Sequence, residues 1–169
     1  VTTGWKNLLD GVAACLAAGP FCFEPVNEGD LGWHLALGRL IWSRGLPSTN
    51  SLAWTQNDHP FYATSWLFDL ATYGSLQLFG GVLGLQLLTF ACVALTLLGV
   101  TFACRAVSKN GWWAPLAIAW LFVPRITPRP HMVSWALLAA VLALCLASKD
   151  RWKLRWWCVP LIALGMTLV

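Results

Sequence analysis

The segment NEGDLGWHLALGRLIWSRG holds Glu28, Asp30 and His34 close together in an otherwise apolar chain. A carboxylate in such a place can take the proton of an attacking hydroxyl. Asp30 and His34 are four residues apart, so a helix starting by Asp30 would carry both on one face. That pairing suits proton abstraction or a divalent metal ion, for which Asp30 and His34 would be the ligands. It also suits plain capping, in which Asp30 satisfies the free N–H groups of a helix start and His34 is an interfacial polar tip. Spacing alone favours capping, because a lone Asp-x-x-x-His is a weak signal.

A second set lies a hundred residues on. Arg125 and Arg129 are held by Pro124, Pro128 and Pro130 in a stiff turn, PRITPRPH. Guanidinium groups in a fixed turn can clamp a phosphate or pyrophosphate. The competing reading is two ordinary loop arginines. Between the two sets, Asp58 and His59 precede Pro60 and belong to a turn. Asp69 sits in an apolar surround where a carboxylate is costly without a partner, and Arg39 or Arg44 is the partner to expect.

The elements that must position these residues follow from composition. The chain has 169 residues, of which 58% are hydrophobic and 11% charged, and such a chain cannot cover itself with a polar surface, so its apolar residues must face lipid. The run Leu78 to Cys104 is long enough to cross a hydrocarbon core of about 30 Å. The predicted fold is therefore all-α, a polytopic bundle of about five spans at 8–26, 78–104, 110–124, 131–148 and 156–169. The first run is short, and a signal-peptide core is its alternative reading; either puts the next segment outside. Residues 27–77 form an outer loop in which Leu31, Leu35, Leu37, Leu40 and Ile41 recur at helical spacing, and FYATSWLFDLATYGSLQLF resumes that period. Both read as amphipathic helices on the membrane surface. The last run is still apolar at Val169, so the span is expected to continue, with these residues the N-terminal part of a longer protein.

Lys6, Arg105, Lys109, Lys149, Arg151, Lys153 and Arg155 fall on one side of these spans, and Arg39, Arg44, Arg125 and Arg129 on the other. By the positive-inside rule the first set and the N-terminus are cytoplasmic. Trp5, Trp112, Trp113, Trp152, Trp156 and Trp157 flank apolar runs beside Lys or Arg, the pattern of an interfacial belt rather than a carbohydrate-binding face. The net charge of +4 sits at span ends, which argues against nucleic acid as a partner. The six cysteines lie in or beside apolar segments without CxxC spacing and read as small hydrophobes.

The order of features resembles a family of bacterial multi-span proteins related to the GT-C glycosyltransferases, which take sugars from polyprenyl-phosphate carriers. The resemblance rests on DLGWHLALGRLIWSRGLPSTNSLAWT after a first span, then WLFDLATY, GGVLGLQLL opening the next span, and RPHMVSW opening a later one. It covers most of residues 28–135. It implies an integral protein of the bacterial cytoplasmic membrane, with the bilayer and a polyprenyl-phosphate-linked sugar donor as partners. It implies an acidic residue in the first outer loop as catalytic base or metal ligand, which is Asp30 here, with Glu28 second and His34 beside them. From the residue chemistry and not from the resemblance, Arg129, and Arg125 with it, are the candidates to hold the departing phosphate. The chain departs from the family where Thr64 and Ser65 precede Trp66 in place of a His-Glu pair. A different class of protein fits the composition as well, a transporter half or an assembly subunit whose outer loop docks a partner. The charge-free spans 78–104 and 132–147 argue against ion coupling.

Overall fold

The computed structural model of the chain describes residues 2–53, 55, 59–107 and 113–147. The expected span 156–169 lies outside them, as do residues 110–112 of another and Asp58 in the turn. Secondary structure among the described residues is helical without strands, as the all-α reading expects. The elements are α1 (Thr2–Cys22), α2 (Leu31–Arg44), α3 (Trp66–Phe79), α4 (Val82–Val107), α5 (Ala114–Phe122) with a 3₁₀ turn at Val123–Arg125, and α6 (Pro130–Ala147).

Local chemistry sets the boundaries. Pro20 lacks an N–H to continue the ladder, and α1 stops two residues later. Gly45, at φ 81°, closes α2 by donating its N–H to the Ile41 carbonyl. Pro130 opens α6, where its fixed φ suits the first turn and its missing N–H has no partner to lose. The apolar run from Leu78 to Cys104 corresponds to α4 over most of its length, with the helix starting four residues later than the run. Gly80 and Gly81 take φ of 77° and 69°, Gly81 donates to the Leu76 carbonyl, and α4 starts afresh at Val82. Hydrophobicity alone concealed this break, because a Gly pair lowers neither apolarity nor span length.

Helix α4 is the hub, packed against α1, α3, α5 and α6, while α2 joins the bundle mainly through α3. Helices α1 and α4 run antiparallel: Asp10 pairs with Arg105 at one end, and Gln86 donates to the Phe23 and Glu24 carbonyls at the other. The stretch of α4 between Gln86 and Arg105 carries no charge and spans about 28 Å at 1.5 Å per residue. Close approach is permitted by small residues: a Cβ on Gly84 would strike the Ser75 backbone, and one on Gly99 would strike that of Ala139.

The core of the bundle mixes large side chains, Leu85, Val93, Leu97, Met132 and Val141, with small ones. Ala14, Ala18, Cys92, Ala119, Ala136 and Ala139 are buried, as are Thr89, Thr96 and Thr101 of α4. Thr96 and Thr101 satisfy their hydroxyls on the Cys92 and Leu97 carbonyls of their own helix. Leu16, Leu95, Trp120 and Leu138 are exposed, each by more than half. Helix α4, with a mean hydropathy of 2.3 over its most apolar window, is long and apolar enough to cross a membrane; Leu8–Cys22 and Pro130–Leu146 are apolar but shorter.

Candidate functional site

The end of the bundle opposite Asp10 and Arg105 gathers the chain between α1 and α2, the N-terminus of α4 and the turn before α6. A cleft of about 340 Å³ opens there, lined on one wall by Cys22 and Glu24 to Asn27, on the other by Val123, Pro124 and Ile126 to Pro128, with Thr89 of α4 between them. Glu28 and Arg129 are the next residues along each wall. They meet: Arg129 donates from Nε to Glu28 Oε2 at 2.5 Å and from Nη2 to Oε1 at 2.6 Å, a bidentate pair that joins the acidic segment to the proline-held turn.

Glu28 is the better enclosed partner, its side chain 4% exposed against 47% for Arg129. The Arg129 guanidinium holds the Glu28 carboxyl below its ordinary value, helped by the backbone N–H of Asp30 and the Thr127 side chain and opposed by partial burial. Arg129 is shifted up in turn by Glu28 and, more weakly, by the nearby charge of Asp30. Glu28 is thus a poor proton acceptor near neutral pH, and its part is to aim the guanidinium. Arg129 keeps further N–H donors that Glu28 does not use.

Asp30 stands at the N-cap position of α2, but with helical φ and ψ of −86° and −9° and no side-chain bond to the first turn. The expected capping therefore does not occur through the carboxylate. Its side chain is exposed beside the Glu28–Arg129 pair. Arg125 is exposed on the same turn and does not line the cleft.

His34 turns away from Asp30. It lies on the inward face of α2 with Leu37, Gly38 and Ile41, and its Nδ1 is 2.5 Å from Oδ1 of Asp69 on α3. Asp69 is fully buried, and Ser65 Oγ donates toward both its carboxylate oxygens at 3.4 Å. The edge of the imidazole meets Phe68, with ring centroids 5.1 Å apart. The partner of Asp69 is thus His34, not Arg39 or Arg44, which lie on exposed parts of α2. The two helices touch here at backbone distance, because a Cβ on Gly38 would collide with the Asp69 carbonyl oxygen.

The sequence-derived set therefore splits. Glu28 and Arg129 meet at the cleft mouth with Asp30 beside them, Arg125 is exposed on the same turn outside the cleft, and His34 is bound into the α2–α3 interface. A metal shared by Asp30 and His34 could use only Nε2 of the imidazole, and among the described residues no three His, Cys, Asp or Glu side chains gather. Asp69 was missed as a site residue; its signal was a lone acid in an apolar helix, which had to have a partner. Comparison with family models, curated proteins and solved structures found no match to this chain.

Proposed function

We propose that this chain carries the outer-face site of a GT-C-like integral membrane glycosyltransferase that moves a sugar from a polyprenyl-phosphate donor. The observation that carries the reading is the Glu28–Arg129 pair at the mouth of the 340 Å³ cleft. It brings an acid-bearing loop that follows the first helix to the arginine of the RPH turn, 101 residues away, at the end of the bundle opposite Arg105.

The membrane placement is supported by the length and apolarity of α4 and by large apolar side chains on the outside of the other helices, Leu16, Trp120 and Leu138 among them, beside close helix contacts at Gly84 and Gly99. In the polytopic reading α1, α4, α6 and the run 110–124 that contains α5 cross the bilayer, the α2–α3 pair lies on the outer surface, and the bacterial cytoplasmic membrane holds the N-terminus inside.

In this mechanism Asp30, exposed and without a side-chain bond to the first turn of α2, takes the proton of the acceptor hydroxyl as that oxygen bonds to the anomeric carbon. The bond from that carbon to the lipid phosphate oxygen breaks, and the phosphate leaves with the electron pair toward Arg129 and Arg125. Glu28 positions Arg129. The test is sugar transfer from a polyprenyl-phosphate donor by membranes containing the protein. Asp30→Asn should lower the rate by about 10²-fold or more, the scale of a lost general base. Full transfer by Asp30→Asn would overturn the assignment.

A further inference from the structure

The outward face of α2 carries a second cavity, remote from the cleft. It measures about 580 Å³ and is lined by Ala36, Arg39, Leu40, Ser43, Arg44 and by Leu52 from the following loop. At about 100° per residue, Ala36, Leu40 and Ser43 fall in one stripe, with Arg39 about 60° to one side and Arg44 about 80° to the other. The stripe lies opposite the buried Leu37, Gly38 and Ile41 that face α3. Ser43 spends its hydroxyl on the Arg39 and Leu40 carbonyls, which leaves the groove floor apolar. Both arginines are exposed, and among the described residues neither pairs with a carboxylate. Trp33, 41% exposed, stands one turn before Ala36, and Leu46, 60% exposed, follows Arg44.

We infer that this groove binds the headgroup of an anionic phospholipid. Two guanidinium groups flanking one apolar strip match a phosphodiester with hydrocarbon attached, since the phosphate can lie between the forks while the glycerol and upper acyl carbons cover Ala36, Leu40 and Leu52. A free phosphate ion would leave that strip bare. Exposed Trp and Leu beside arginine are also the composition of a helix seated at the headgroup level. The site would fasten the α2–α3 pair to the bilayer and so fix the height of Asp30, at the start of the same helix, above the membrane.

The inference rests on the membrane placement proposed above and not on sugar transfer. The experiment is lipid retention by the intact protein in bilayer discs of mixed phosphatidylglycerol and phosphatidylcholine, with the co-purified lipid read by native mass spectrometry. The wild type should retain phosphatidylglycerol selectively, each of Arg39→Gln and Arg44→Gln should reduce that enrichment about fivefold, and millimolar inorganic phosphate should not displace the lipid. Arg39→Lys with Arg44→Lys should keep part of the enrichment, because charge remains without the fork. Equal enrichment in the doubly neutralised protein, or displacement by inorganic phosphate, would overturn the site. Failure to enter discs at all would instead contradict the membrane placement. Both arginines are exposed, so helical circular dichroism of the variants should match the wild type.

Discussion

Glu28 is held by more partners than any other acid at the cleft, and its titration should be visible in stability. Its folded pKa lies below the ordinary value, so the unfolded chain binds the proton more readily. The pair's contribution is therefore complete above the ordinary carboxylate range and is lost as pH falls through the lowered folded value. Thermal unfolding followed from neutral to acid pH should show this acid-side loss in the wild type and a smaller one in Glu28→Gln; identical profiles would show that the pair adds nothing. The effect is limited by solvent, because Arg129 is half-exposed. At the other pair, His34→Ala removes the 2.5 Å hydrogen-bond partner of the fully buried Asp69 and leaves a cavity, and should cost about 3–5 kcal/mol, whereas Asp69→Asn, which keeps a hydrogen-bond acceptor, should cost about 1–3 kcal/mol. Denaturant titration in detergent would rank the two, and the reverse order would contradict the pairing. Neither pair was legible beforehand. Glu28 and Arg129 lie 101 residues apart and His34 and Asp69 lie 35 apart, so both depend on how helices dock rather than on any local spacing.

At the scale of elements, periodicity carried much further. The two surface helices expected after Asp30 and around WLFDLATYGSLQLF correspond to α2 and α3, because their apolar residues recur at the helical period and Gly45 marks a stop. The long helix expected at 78–104 starts four residues later, at Val82, because the Gly80–Gly81 turn separates α3 from α4 without interrupting the apolar run. Docking of these elements turns on glycines whose purpose sequence does not reveal. Gly38→Ala would push its Cβ into the Asp69 carbonyl and should destabilise the α2–α3 pair by about 1–3 kcal/mol. Gly32→Ala, with open space around its Cβ in the same helix, should be neutral or stabilising by up to about 1 kcal/mol. Melting temperatures of the two variants give the comparison, and equal shifts would refute the close contact.

For the whole molecule, composition and charge placement predict a bundle that crosses the bilayer with its acidic loop outside. Asp10 and Arg105 mark one end, and Glu28, Arg129 and the cleft mark the other, with about 28 Å of uncharged α4 between. That distance suits a hydrocarbon core of about 30 Å. Every functional proposal made for the cleft requires that its end of the bundle face away from the cytoplasm. The most direct test is to replace the six cysteines by alanine and introduce single cysteines at Thr127, on the cleft wall, and at Val107, at the far end of α4, then treat intact cells with a membrane-impermeant maleimide. Thr127→Cys should label in intact cells and Val107→Cys only after permeabilisation. Labelling of both from the same side would contradict the account.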